Sequence, residues 1–181
     1  MSALKAVTAR RKIGITTQAA EISGRRLSAA AVARLAQYHE RYLRGMKGGR
    51  RIVLKACDLG GLDLAGINLS DADLPACDFT DTIFRDANLA RANLFGAFLN
   101  RTDLTNANLE RADLRGAKFE GAILTNTNLK GADMRRGEVQ GDEGRILFDP
   151  SCSFKDAALL KADMDTCKLT GADFQGARLD G

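Results

Sequence analysis

Residues 87–119 read ANLARANLFGAFLNRTDLTNANLERADLRGAKF, and a large apolar residue occupies every fifth position of this stretch. The same register continues without a slip over residues 52–134. Its large positions are Leu54, Leu59, Leu64, Leu69, Leu74, Phe79, Phe84, Leu89, Leu94, Leu99, Leu104, Leu109, Leu114, Phe119, Leu124, Leu129 and Met134. The residue two places before each is usually small or apolar, and the residue between them is mostly Asp or Asn. The repeating unit is therefore Ala-(Asp/Asn)-Leu-x-x.

A period of five matches neither an α-helix, which repeats every ~3.6 residues, nor a strand, which repeats every ~2. Neither element alone would bury these leucines on one side, so the short repeat indicates a solenoid of stacked turns. The units closely resemble the pentapeptide-repeat family. The resemblance implies an all-β solenoid: a right-handed quadrilateral parallel β-helix with four pentapeptides per coil, in which the first and third residues of each unit point inward.

Residues twenty apart are vertical neighbours in such a helix, at the strand spacing of ~4.8 Å. We therefore expect Asn68, Asn88, Asn108 and Asn128 to form one column and a ladder of stacked amides.

The chain divides into five predicted segments. They are a basic flexible arm (1–26), a capping helix (27–48), the repeat body (51–136), an interruption (137–151) and C-terminal repeat coils (152–181).

Ser28 is a suitable N-cap for a helix that ends near Gly45. The apolar face of this helix is formed by Val32, Leu35, His39, Tyr42 and Met46. Because the first coil of a β-helix exposes its core and its unpaired backbone edge, we predict that the helix caps that end. The alternative is a helix offered to a partner.

The net charge of +4 conceals an asymmetry, since residues 1–49 carry ten basic and two acidic side chains and residues 50–181 carry seventeen and twenty-one. The arm is either a solvated tail or an electrostatic tether to nucleic acid, an anionic membrane or an acidic partner, and no motif sharpens the second interpretation. No apolar run approaches the ~18 residues of a membrane span, and residues 1–26 lack the apolar centre of a secretory signal. We expect a cytoplasmic protein.

Candidates for catalysis are few. His39 is the one histidine, and it lies among apolar helix positions without an evident nucleophile. All four cysteines fall on inward positions, which favours reduced core thiols over zinc ligands. The sequence also permits a disulfide between Cys57 and Cys77. Without a phosphate loop or metal cluster, we expect no enzyme activity, no cofactor and no small-molecule substrate.

Four apolar residues fall outside the inward positions and are candidate partner contacts: Phe95, Phe98, Ile83 and Ile123. The alternative is that the N-terminal segment covers these side chains.

The motif lapses from residue 137 to 150 and resumes in phase at Phe154, twenty residues after Met134. The interruption is either a degenerate coil or a projecting loop, and in gyrase-protecting relatives such a loop is functionally important. Its candidate contact residues are Glu138, Asp142, Glu143 and Arg145.

The last repeat is followed only by Asp180 and Gly181, so we expect the final coil to pair with a second copy. Phe174 and Leu179 are the candidate residues of this homodimer interface, and some relatives dimerise in the same way.

The features together favour a non-catalytic scaffold for protein–protein interaction. The resemblance also implies an alternative, a DNA mimic that binds, and so inhibits or protects, a type II topoisomerase such as DNA gyrase. Mimicry requires a continuous negative surface, whereas residues 51–136 carry eleven basic and twelve acidic side chains.

Overall fold

The computed structural model describes residues 22–137 and 151–180. The named elements are β1 (Ile22–Ser23), α1 (Ala29–Leu43) and β2 (Leu54–Lys55), and β1 pairs with β2 in parallel. The remainder of the described chain winds into coils that are joined by single-residue parallel bridges between positions twenty apart, or thirty-five apart across the interruption.

These bridges form four columns, one for each side of the coil. The columns run Val53–Asp73–Asn93–Asp113–Asp133–Lys168, Asp58–Asp78–Phe98–Lys118–Ser153–Asp173, Asp63–Ile83–Asp103–Ile123–Ala158–Arg178, and Asn68–Asn88–Asn108–Asn128–Asp163. Each column is built from the residue between the two inward positions of a unit. Four columns and a step of twenty define a four-sided parallel β-helix.

The coils are held together by backbone hydrogen bonds that repeat in every unit. The N–H of Asn88 donates to the carbonyl of Ile67 in the coil above at 2.9 Å, and the N–H of Leu89 donates to Asn108 in the coil below at 2.7 Å. The turn adds a third bond, from the N–H of Arg91 to the carbonyl of Glu110 at 2.8 Å. The pairing satisfies backbone groups that burial would otherwise leave costly.

The Asp or Asn of each unit holds the following turn. Asn108 Oδ1 accepts from the N–H of Glu110 at 3.1 Å, an Asx-type bond that recurs along all four columns. Asn108 Nδ2 also donates to Asn88 Oδ1 at 3.4 Å, and Asn128 Nδ2 donates to Asn108 Oδ1 at 3.1 Å. The predicted amide ladder is therefore confirmed between Asn88 and Asn128.

Along the repeat the second residue of the turn has a positive φ, as the third residue of a type II turn requires, and Arg136 before the interruption is an exception. Asp and Asn tolerate this conformation, yet it is also adopted by Ala76 at 55° and Lys161 at 56°. The stacked coils therefore impose the turn on residues that would otherwise avoid it. At Gly66, with φ of 67°, no such cost arises.

The core is one continuous column of the large and small inward residues, with Leu74, Leu94 and Leu114 fully buried. Aromatic rings extend it toward the C-terminal end. The rings of Phe119, Phe154 and Phe174 stack in parallel at centroid separations of 4.6 and 5.0 Å.

The number of residues between vertical neighbours in successive coils changes once. Lys118 pairs with Ser153, thirty-five residues later rather than twenty, so fifteen extra residues enter at this point. Phe154 consequently lies beneath Phe119, and Met134 donates its N–H to the carbonyl of Lys168. The expectation that residues twenty apart are vertical neighbours fails here, since Met134 and Phe154 do not share a column. The coil of Lys118 is followed directly by the coil of Ser153.

Helix α1 begins after its N-cap Ser28, whose Oγ accepts from the N–H of Ala31 at 3.3 Å. The helix contacts the first coils through Val32 and His39, which are both buried. The Glu40 carboxylate extends this contact by accepting from Asn68 Nδ2 at 3.3 Å. The helix predicted from the sequence is present, and it packs against the first coils of the solenoid.

His39 joins the helix to two coils. Its Nδ1 accepts from the N–H of Ile52 at 3.2 Å, which places the ring proton on Nε2, and Nε2 donates to the carbonyl of Ser70 at 2.8 Å. Burial is the main cause that lowers the pKa of His39, and Arg51 adds to it, whereas the Ser70 carbonyl, Asp71 and Glu40 oppose it. The buried ring is therefore neutral, and it supplies backbone groups of the first coils with partners.

Replacing Asn108 by Leu removes both the turn acceptor and the rung of the ladder. We expect it to lower the free energy of unfolding by about 1–2 kcal/mol, because the half-buried Glu110 N–H loses its partner. Asn108→Asp keeps the acceptor and should cost less. Urea unfolding of the three proteins tests this, and an equal loss in both variants would contradict the role of the turn bond.

Protonation of His39 should loosen the contact between α1 and the coils. Since folding lowers its pKa, its contribution to stability is complete above the unfolded-state pKa of about 6.5 and declines as the pH falls below that value. Hydrogen exchange at the Ile52 amide, measured between pH 7.5 and 5.5 after correction for intrinsic rates, should report lost protection. His39→Gln cannot titrate, so an identical pH dependence in this variant would refute the assignment.

A candidate partner-contact surface

One edge of the solenoid carries a cluster of arginines beside an aromatic ring. The edge lies between the column of Asp113 and the column of Lys118, and successive coils place Phe95, Arg115, Arg135 and Thr170 at the first turn position. Arg136 and Gly171 occupy the second turn position of the last two coils. We call these six residues the arginine corner.

Two of the arginines are fixed by carboxylates on the adjoining side. Arg115 donates through Nε and Nη2 to Asp113 at 2.8 and 2.6 Å, and Arg135 donates in the same way to Asp133 at 2.9 and 2.7 Å. The bond from Arg135 is the main cause that lowers the pKa of Asp133. Bidentate pairing limits the rotamers of each guanidinium and leaves its Nη1 group pointing away from the carboxylate.

Phe95 supports this arrangement from the coil above. The Arg115 guanidinium carbon lies 5.4 Å from the centroid of the Phe95 ring, which is the geometry of a cation–π contact. Gly137 packs on the same ring, because a Cβ built there would lie 3.1 Å from Phe95 Cε2. Phe95 is therefore half-buried and held between a cation and the backbone.

The interruption of the repeat is attached at this edge. The described chain stops at Gly137, beside Phe95, and resumes at Ser151, whose carbonyl accepts from Lys118 Nζ at 2.7 Å. The predicted loop contacts lie outside the described residues. They are Glu138, Asp142, Glu143 and Arg145. Most of the predicted basic arm, residues 1–21, lies outside them as well.

The other predicted contact residues fall on two adjacent walls. Phe98 is 45% exposed and belongs to the column of Asp78 and Lys118, whereas Ile123 is 44% exposed and belongs to the next column with the half-buried Ile83. The four candidates do not form a single patch. Phe95 lies at the corner, Phe98 on the wall beside it, and the two isoleucines beyond the next turn.

The C-terminal coil exposes inward residues that the repeat buries elsewhere. Leu169 and Leu179 are 39% and 56% exposed, and the half-buried Phe174 stacks on Phe154. Within the described residues, the backbone N–H groups of Leu169 and Phe174 have no acceptor. This end therefore presents both apolar side chains and an unpaired strand edge.

The other edges carry ion pairs between vertical neighbours. Arg91 donates to Asp71 at 2.8 and 2.6 Å, and Arg101 donates to Asp81 at 2.7 and 2.8 Å. These bonds are the main cause that lowers the pKa of both aspartates. The pairs neutralise carboxylates that would otherwise give the walls a negative potential.

Chemistry at buried groups is limited. The four cysteines are free thiols, and burial raises the pKa of Cys77 to about 12, so this thiol is not a nucleophile near neutral pH. Within residues 22–137 and 151–180, no group of His, Cys, Asp and Glu could hold a metal ion. No helix in the same ranges is long and apolar enough to cross a membrane.

Analysis of the sequence missed the arginine corner. Its signal was present, because Phe95, Arg115 and Arg135 are spaced by twenty and therefore belong to one edge. The same spacing relates Arg91 and Arg111 on another edge. Arg136 carried no comparable signal, because its coil neighbour Gly171 lies thirty-five residues away.

The model of the Pentapeptide repeats family matches residues 50–86, 82–121, 102–137 and 151–181, in 8 copies. These ranges cover more than half of the chain, which therefore belongs to the pentapeptide-repeat family. No curated protein matches the sequence.

Two solved structures are similar to this chain, and the first supports its fold. The pentapeptide repeat protein Rfr23 from the cyanobacterium Cyanothece 51142 is 21% identical with a TM-score of 0.50, over 68% of this chain and 91% of that chain. A pentapeptide repeat protein from the Arabidopsis thaliana thylakoid lumen is 34% identical with a TM-score of 0.42, over 64% of this chain and 66% of that chain. The fold is the right-handed quadrilateral β-helix of this family.

Proposed function

We propose that this protein is a non-catalytic scaffold that binds a protein partner through the walls of its β-helix. The observation that carries the proposal is the exposure of Phe98 and Ile123 at positions where the neighbouring coils place Asp, Lys or Ala. A large apolar side chain on a solvated wall gains free energy only when another surface covers it.

The rigidity of the walls supports this role. The column containing Phe98 is fixed by backbone bonds above and below, from the N–H of Phe98 to Cys77 at 2.9 Å and from the N–H of Phe79 to the Phe98 carbonyl at 2.7 Å. A preformed surface does not pay the entropy of ordering a loop when a partner binds. The wall is therefore suited to recognition rather than to conformational change.

Helix α1 acts in this proposal as the cap of the N-terminal end. His39 gives the Ser70 carbonyl the donor that a preceding coil would have supplied, and it also accepts from Ile52. Val32 covers part of the apolar core. A capped end prevents further strands from adding to this edge.

DNA mimicry is the competing function. It requires carboxylates that are free to meet a cationic groove, whereas Asp71, Asp81 and Asp133 each accept from an arginine. A supercoiling assay with DNA gyrase separates the two functions. Inhibition at a protein concentration near that of the enzyme would favour mimicry over the scaffold.

Phe98→Asp should reduce capture of the partner by ten-fold or more, because buried aromatic anchors contribute about 2 kcal/mol or more to an interface. The measurement is quantitative affinity purification from the native cell against Arg111→Gln, which also lowers the charge by one at an exposed position on another edge. Unfolding curves establish that both variants are folded. Equal capture by wild type and both variants would remove Phe98 from the interface.

We further propose a homodimer formed through the C-terminal coil, since Leu169, Phe174 and Leu179 are apolar and incompletely covered. Light scattering at micromolar concentration should give the mass of two chains, and Leu179→Asp should give the mass of one. Arg111→Gln again serves as the control. A wild-type protein that is strictly monomeric at this concentration would exclude the dimer.

A further inference from the structure

We infer that the arginine corner is a binding site for a phosphate dianion, and that its source is a phosphorylated side chain of the protein partner. The inference rests on the proposed scaffold function and adds the chemical class of what is recognised. The arginine corner borders an open cavity of about 520 Å³. Its lining residues are Arg115, Arg135, Arg136, Thr170 and Gly171. Four of these five residues lie on the two coils that flank the interruption of the repeat.

Several hydrogen-bond donors of the arginine corner have no acceptor within the described residues. Arg115 and Arg135 use only Nε and Nη2 on their carboxylates, and within the described residues their Nη1 groups have no acceptor. Arg136 has no ion-pair partner among those residues, and the Thr170 hydroxyl has no acceptor there. Planar guanidinium donors that converge from several sides match the oxygens of a phosphate.

The charge balance of the corner suits a dianion. Three arginines are joined by Lys168, whose Nζ lies 3.9 Å from Asp133 Oδ2, and they face two carboxylates, Asp113 and Asp133. The surplus is two positive charges. On the other edges, Arg91 and Arg101 are each matched by one aspartate, so no surplus develops.

The backbone at Gly171 keeps the third arginine in place. A Cβ at this position would lie 2.8 Å from Arg136 Cγ, so the stem of Arg136 crosses the turn of the next coil in direct contact with it. Glycine is also the residue that adopts the φ of 78° found there without strain. A larger residue at position 171 would displace the guanidinium of Arg136 from the cavity.

The surroundings favour a single phosphate on a protein over a nucleic acid. A nucleic-acid backbone presents a row of phosphates and requires a basic stripe, whereas the flanking columns carry Asp73, Asp78 and Asp173. The apolar neighbours Phe95 and Phe98 would instead contact residues beside a phosphorylated side chain. A partner with one phosphate on an otherwise weakly charged segment fits this edge best.

The test uses the full chain and phenyl phosphate as the probe, with phenol as the uncharged control and short single-stranded DNA as the competing polyanion. Calorimetry should show binding of phenyl phosphate and none of phenol, and the affinity should rise as the pH passes about 6, the second pKa of a phosphate monoester. Chemical shifts in ¹⁵N spectra should change at Gly171 and Arg136. Absence of binding, or tighter binding of the DNA that depends on the same arginines, would overturn the inference.

Matched variants locate the site. Arg136→Gln should weaken phenyl phosphate binding about five-fold, because one charge-assisted contact is lost at a solvated position. Arg111→Gln, on another edge, should leave it unchanged, and an equal loss in both would mean non-specific attraction. A triple variant combines Glu138→Gln, Asp142→Gln and Glu143→Gln. If this variant binds phenyl phosphate and the wild type does not, the chain's own acidic segment occupies the arginine corner, and a phosphorylated partner is excluded. If phenyl phosphate does not bind but Phe98→Asp still reduces capture of the partner, the phosphate site is excluded and the proposed scaffold function is not.

Discussion

The structure depends on the parallel backbone ladder that joins each coil to the next. Bonds such as Asn88 N–H to Ile67 and Leu89 N–H to Asn108 recur at every unit, and each is made between residues about twenty apart. Side chains are secondary to this ladder. It sets which residues face inward, which residues line a wall, and which turns take a positive φ even where Ala76 or Lys161 must adopt it.

The ladder also determines which side chains are left for contacts outside the fold. Vertical neighbours become ion pairs, as Arg91 does with Asp71, or amide ladders, as Asn108 does with Asn88. Where the sequence departs from these pairings, as at Phe98, side chains remain that the fold itself does not use. The proposed partner contacts are such departures from the repeat.

Much of this architecture follows from the sequence because a period of five and a coil of twenty are strict geometric rules. The amide ladder, the ion pair of Arg91 and the inward cysteines were all accessible from spacing alone. The arginine corner was accessible in part, because residues 95, 115 and 135 share one edge by the same spacing. The docking of His39 was not accessible, because helix periodicity does not specify which coil atoms the ring meets.

The change of step at the interruption was hidden for a physical reason. Fifteen extra residues are three whole repeat units, so the five-residue phase is kept while the position on the coil is shifted. Phe154 therefore seemed to follow Met134 by one coil, although it stacks on Phe119 at 4.6 Å. A pattern with a period of five cannot distinguish these registers, and only the three-dimensional pairing does.

Trans-hydrogen-bond scalar couplings measured by NMR test this ladder most directly. The account predicts a coupling from the Ser153 amide to the Ala117 carbonyl and another from the Phe119 amide to the Ser153 carbonyl, since both bonds are present at 3.0 and 2.7 Å. A coupling from the Glu138 amide to the Ala117 carbonyl would mean an unbroken step of twenty. It would contradict the register on which the walls, the stacked rings and the arginine corner are assigned.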